Sequence, residues 1–240
     1  MNREFLLNIL FLVFINLLVK PFFIFGIDLT VQNRAPEGDY GLYFTLFNFT
    51  YLFQILNDFW VQNFNNREVS QHPHLLGKYF PNFLAIKFLL SVLYVVVSVL
   101  AAILSQYDFR AIRLLSILLF NQVLVQIILF LRSNVSGLGH YRVDSILSSV
   151  DKFLMLITCG LLLWAPPFQP FFSVEFFALA QTAALVLTTG IVFLVLKKLA
   201  GNIRLRPSWA DNWSMGLLNL GFLFRKSFPY ALVILLMTAY

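Results

Sequence analysis

Apolar residues run along this chain in long blocks separated by short polar connections, a pattern that predicts membrane-crossing helices. About seven blocks are readable, at 5–26, 41–63, 82–104, 111–131, 146–165, 174–196 and 228–240. Runs of about 20 apolar residues match a hydrocarbon core ~30 Å thick. The strand-like alternation of a barrel is missing, and stretches such as Leu89 to Leu104 fit helices, which satisfy their own backbone groups in lipid. Short connections predict one bundle, an all-α polytopic membrane protein with no inserted soluble domain. The first block, Phe5 to Phe25, is too long for the apolar region of a secretory signal, and no small-x-small cleavage site follows it, so it reads as a retained helix.

The longest connection, 197–227, opens with Lys197-Lys198, passes Gly201 and Pro207, and offers a helix start at Ser208. Beyond it, Met215, Leu217, Leu218, Leu220, Phe222 and Leu223 mix with Trp213 and Asn219. Two readings stand side by side: an amphipathic helix in the membrane interface, with Arg225 and Lys226 at the headgroups, or an ordinary basic loop. Either way it separates a six-span unit, 1–196, from the block at 228–240, and is a candidate hinge between two halves. That last block reaches Tyr240 after about thirteen residues, too few to cross comfortably, so the sequence is expected to be a fragment of a longer one.

Composition sharpens this picture. Hydrophobic residues make up 60% of the chain and charged residues 12%, roughly half the charged fraction of a soluble domain. The net charge of +6 is spread between the spans, which argues for membrane topology and against nucleic acid. Arg3, Arg67, Lys78, Arg132, Arg142, Lys197, Lys198, Arg204, Arg206, Arg225 and Lys226 fall on one side, against Arg34, Arg110 and Arg113 on the other. The positive-inside rule then places the N-terminus and the 197–227 segment in the cytoplasm. The single cysteine, Cys159, excludes an intramolecular disulfide, and no metal-ligand spacing is present.

Ionisable residues within the spans are the informative exceptions, since each costs roughly 3 kcal/mol at mid-bilayer. They are Lys20, Asp58, Lys87, Asp151 and Lys152. Asp58 is expected near the cytoplasmic end of the second span, with Lys87 under two turns into the third and Asp151 and Lys152 similarly deep in the fifth. Lys20 lies toward the outer side, followed by Pro21. Single lysines can snorkel to headgroups and acids can sit at the water boundary. Asp151 and Lys152 are ~100° apart on a helix, so one should point inward. The functional reading is a water-filled cavity open to the cytoplasm, with cations for an anionic headgroup, carboxylates for cation coupling, and Arg132 and Arg142 at its mouth.

Other motifs carry less. The sequons at Asn48 and Asn134 fall in a span and on the cytoplasmic side, and His72-Pro73-His74 lacks further ligands. No phosphate-cradling glycine loop, nucleophile elbow or HExxH is present, which argues against catalysis. The 28 phenylalanines suit lipid contact and packing, or the lining of a path for a prenyl chain.

The stretch Gly38-Asp39-Tyr40-Gly41-Leu42-Tyr43-Phe44 resembles the G-x-x-Y-G-x-Y entry to the second helix of polysaccharide biosynthesis membrane proteins. Asn57-Asp58, Asn65-Asn66-Arg67 and Arg225-Lys226-Ser227-Phe228-Pro229-Tyr230-Ala231-Leu232 are also similar to that family, the last to its opening of helix seven. These are O-antigen-type flippases of the multidrug/oligosaccharidyl-lipid/polysaccharide exporter superfamily. The resemblance implies a MATE-like bundle of two six-helix lobes, of which this chain supplies the N-terminal lobe and the start of helix seven. It implies a bacterial inner-membrane transporter that moves an undecaprenyl-diphosphate-linked oligosaccharide outward by alternating access. It would work beside glycosyltransferases or a polysaccharide polymerase.

On that reading Lys87, Lys152 and Arg132 attract the diphosphate from the cytoplasmic leaflet, and Lys20 meets it after the outward swing. Asp58 or Asp151 would serve cation coupling. No cofactor is expected; the membrane potential, H+ or Na+ would supply direction. The alternatives are a cation-coupled multidrug exporter of the same superfamily, a membrane glycosyltransferase or polymerase subunit, and an assembly scaffold.

Overall fold

The computed structural model describes Leu17 and residues 21–58, 61–167 and 172–201. Lys20, most of the basic 197–227 linker and the 228–240 block lie outside the described residues. The described residues are helical almost throughout. A π-helical stretch, Phe23–Asp28, runs directly into α1 (Leu29–Arg34). There follow α2 (Asp39–Leu52), α3 (Gln54–Asp58), α4 (Val61–Gln71), a 3-10 turn (Pro73–Leu75), α5 (Leu76–Leu104), α6 (Phe109–Gly137), α7 (Tyr141–Trp164) and α8 (Val174–Ala200). Among the described residues, four helices are long and apolar enough to cross a membrane: the Phe80–Leu104 portion of α5, and α6, α7 and α8. Large side chains such as Phe88, Leu93, Leu104, Phe153 and Leu194 stand exposed on them. Outward apolar faces of this extent suit lipid and would be a liability in water.

Local chemistry sets several boundaries. Asp108 caps α6 by accepting from the Ala111 amide at 3.1 Å, and Ser173 caps α8 by accepting from the Phe176 amide at 3.2 Å. Lys197 and Lys198 sit in the last turn of α8, where cations complement the helix dipole. Gly139, at φ 83°, turns the chain between α6 and α7 in a conformation other residues resist.

The expected second span is not one helix. It breaks at Phe53 (φ −103°, ψ 4°), and the buried Tyr94 hydroxyl donates to the Thr50 carbonyl beside the break at 2.9 Å. Beyond the break, α4 is amphipathic: Val61, Asn65 and Val69 recur every four residues on its buried face. The first helix runs on to Arg34, eight residues past its expected end, because Ile27 and Val31 are fully buried and the Arg34 guanidinium donates to the Leu163 carbonyl.

At the centre is α6, which packs against α8, α4, α2, α5 and α7. Two apolar clusters stack along it. One includes Leu90, Leu124, Met155 and Ala184; the other includes Tyr94, Leu119, Cys159 and Ala178. Between them lies a polar layer: Asn121 donates to the Ala178 carbonyl at 3.1 Å and accepts from Thr182 at 2.6 Å, while Tyr43 pairs with Gln181.

Candidate functional site

The polar residues of the half that the charge pattern assigns to the cytoplasm converge on α6. Lys87, on α5, is 1% exposed and donates to Asp58 Oδ1 on α3 at 2.5 Å and to Gln126 Oε1 on α6 at 3.3 Å. Lys87 is eleven residues from Leu76 and Gln126 eleven from Gly137, so both helices place the pair about 16 Å from their shared end. From Phe80, where the membrane-crossing portion of α5 begins, Lys87 is about two turns in, close to the depth expected. A snorkelling lysine would reach toward the headgroups; this one is held inward by a carboxylate and an amide. Beside it, the Ser91 hydroxyl lies 2.9 Å from Asn57 Oδ1 and 2.8 Å from the Lys87 carbonyl oxygen, and its single proton serves one of the two.

Nearer the end of α6, Arg132 Nε donates to Asp144 Oδ1 of α7 at 2.7 Å. Asn65 of α4 donates to Ser133 Oγ at 3.2 Å and Asn134 Oδ1 at 3.0 Å. Replacing Asn65 by leucine should destabilise the protein by about 1 kcal/mol, the scale of interhelical hydrogen bonds in membranes. Thermal unfolding in detergent would measure it, and no change would mean these bonds only accompany the apolar packing of α4.

Asp151 and Lys152 lie about 15 Å along α7 from Tyr141. Their side chains, both half-buried, pair with each other at 3.4 Å, and Asp151 Oδ1 is buried with no hydrogen-bond partner among the described residues. Asp28, at the end of the π-helical stretch, is within electrostatic reach of Lys152, Tyr40, Tyr43 and Cys159. π-Helical turns recur at functional sites because they reorient one side chain within a helix. At the opposite end, Arg110 bonds Asp39 at 2.7 Å and Arg113 bonds Glu175 at 2.6 Å, exposed pairs that add little stability.

Of the residues singled out by sequence, Asp58 and Lys87 are brought into direct contact, as are Asp151 and Lys152. Arg132 is paired, and Arg142 is exposed one residue into α7. Asp28, Asp144 and Gln126 are not among them, and Asn57 stands out in sequence only through the family resemblance. A signal for Gln126 exists: Gln122, Gln126, Ser133 and Ser136 form a polar stripe on an otherwise apolar helix. Asp28 lies just past the predicted end of the first span and was counted as outside it. Among the described residues no cluster of three or more metal-ligating side chains occurs. The chain matches no family model, no curated protein and no solved structure.

Proposed function

We propose that this chain forms the N-terminal lobe of a transporter that moves a polyprenyl-diphosphate-linked oligosaccharide from the cytoplasmic to the outer leaflet of a bacterial inner membrane. The observation that carries the reading is Lys87. A buried amine about two turns inside a membrane-crossing helix is costly, and such residues line substrate or ion pathways. Its neighbours Asn57 and Gln126 are hydrogen-bonding groups suited to phosphate oxygens, and Lys152 is a second intramembrane cation. The resemblance around Gly38–Phe44 and the one-sided distribution of Lys and Arg point the same way.

In this mechanism the diphosphate enters from the cytoplasmic leaflet while the prenyl chain stays in lipid. The two lobes rock about the linker to open the site outward. Moving an anion outward is driven by an inside-negative potential and is downhill by ~2.3 kcal/mol per charge per 100 mV, so the potential itself gives direction. Neutralising Lys20, Lys87 and Lys152 together in the full-length protein should abolish polymer export while membrane abundance, followed by immunoblot, is kept. Export at the unmodified level would sink the proposal.

A second reading, a cation-coupled exporter of small molecules, is favoured by one observation. Asp28 and Asp151 both bear on Lys152 within the helical bundle, with one carboxylate oxygen of Asp151 unpartnered among the described residues. Dependence of transport on a sodium or proton gradient with the membrane potential clamped at zero would distinguish it.

A further inference from the structure

We propose that the exposed, uncharged face of α2 binds the sugar of the cargo; this rests on the flippase reading above and assigns it a second subsite, apart from Lys87. Asp39 opens α2 and pairs with Arg110 near the start of α6, so the two helices begin level with each other. From there Thr45, Asn48 and Tyr51 lie ~9, ~13 and ~18 Å along α2. The neighbouring α6 has 29 residues and is long and apolar enough to cross a membrane. At ~43 Å it exceeds a ~30 Å hydrocarbon core, so all three side chains fall within the depth of that core.

A lipid-facing surface at that depth is apolar. The exposed face of α5 is so, with Phe88, Leu89 and Val92, and that of α8 with Val186, Leu187 and Leu194. The exposed face of α2 differs. It carries Thr45 and Asn48, flanked by Phe44 and Tyr51 on one side and by Leu52 on the other. One amide hydrogen of Asn48 is bonded to the Phe44 carbonyl at 2.9 Å, which leaves its amide oxygen and second N–H for a ligand. Such groups set against acyl chains would be costly, so this face is built for something other than lipid.

The rings beside them are held in place. Gln181 of α8 bonds the buried Tyr43 hydroxyl, Phe47 stacks on Tyr43 with centroids 6.0 Å apart, and Tyr51 meets Phe47 edge-on at 5.1 Å. Phe44 is nonetheless 54% exposed and Tyr51 47%, so two aromatic surfaces stand open next to an amide and a hydroxyl. A sugar ring matches that pairing. Its C–H groups pack on aromatic rings while the hydroxyls at its edge bond amides and hydroxyls, and binding sites in general combine apolar walls with a few placed polar groups. Residues 40–57 include no Lys or Arg, so the strip suits the hydroxyl-bearing part of the headgroup and not the diphosphate. The strip ends at the break at Phe53, and Asp58, bonded to Lys87, ends the helix beyond it. The sugar strip therefore lies between the Lys87 pair and the end marked by Asp39 and Arg110.

The test uses the full-length protein in nanodiscs, in a Cys159→Ala background. The probes are short-chain prenyl diphosphates bearing glucose, galactose or N-acetylglucosamine, beside the sugar-free prenyl diphosphate. Thr45→Cys and Asn48→Cys should react with a charged, membrane-impermeant maleimide, whereas Phe88→Cys on α5 should not. A sugar-bearing probe should protect both positions and the sugar-free probe should leave them reactive. By calorimetry Asn48→Leu and Tyr51→Leu should each weaken a sugar-bearing probe by ~5- to 10-fold, the scale of one lost hydrogen bond or ring contact. Their unchanged affinity for the sugar-free probe shows that the loss is not misfolding. Unreactive cysteines would mean that lipid or the second lobe covers the face, and would overturn the subsite. Equal protection or equal weakening with both kinds of probe also overturns it, and leaves the flippase reading intact. Failure of the unsubstituted protein to bind any of the probes overturns both.

Discussion

Replacing Asp58 by alanine is expected to cost about 3 kcal/mol of stability, and adding Lys87→Met in the same protein should recover most of it. Removing one partner of a buried ion pair strands the other charge, at a cost of ~3–5 kcal/mol, whereas replacing both by apolar side chains of similar size is often neutral. The low end applies because Gln126 remains within 3.3 Å of the amine. The order of the single effects is also fixed: Lys87→Met should cost less than Asp58→Ala, because the stranded carboxylate is 28% exposed and the stranded amine only 1%. Denaturant titration of the purified protein in mixed micelles measures all three variants. Equal losses in singles and double would show that the pair contributes by packing and that its charges are independent. On the proposed transport function the roles separate further, since the double variant should be folded yet inactive. A pair kept only for stability would leave it active.

The dependence of this result on a pairing 29 residues apart shows where sequence reading stops. The existence of α6 and α8 was legible because each is a mostly apolar run of about 20 residues or more, long enough to cross a membrane. The intramembrane charges were legible because any such residue stands out against that background. Their partners were not: Lys87 meets Asp58 only because α3 and α5 pack in one particular register. The break at Phe53 carried no warning either, since neither glycine nor proline occurs from Gly41 to Trp60 except that first glycine, and the surrounding residues all read as apolar helix. The third span reads from 82, yet α5 begins at Leu76, continuing from the turn started by Pro73, and carries Pro81 inside it. Asp28 was hidden by a similar convention, because the polar run Gln32-Asn33-Arg34 marks a water boundary in sequence although the helix continues through it.

Gly137 offers a sharper test of packing, because one substitution should act oppositely at two glycines. A Cβ at Gly137 would lie 2.9 Å from Val69 Cγ1 and 3.2 Å from the Asn66 carbonyl oxygen, so α4 crosses α6 with no room for a methyl group. Small residues at such crossings, here Ser133 and Gly137 four apart, let helix backbones approach closely. Gly137→Ala should therefore destabilise by about 1–3 kcal/mol, and Gly137→Leu by about 3 kcal/mol or more, as overpacking does. Adding Val69→Ala should recover only part of the loss, because the carbonyl oxygen belongs to the α4 backbone and cannot turn aside. At Gly190, inside α8, an added Cβ meets nothing within 4 Å. There the same change to alanine should be neutral or stabilise by up to ~1 kcal/mol through helix propensity alone. If Gly137→Ala proved as benign as Gly190→Ala, the close approach of α4 to α6 would be wrong. The Asn65 bonds to Ser133 and Asn134 would fall with it, since they span the same crossing.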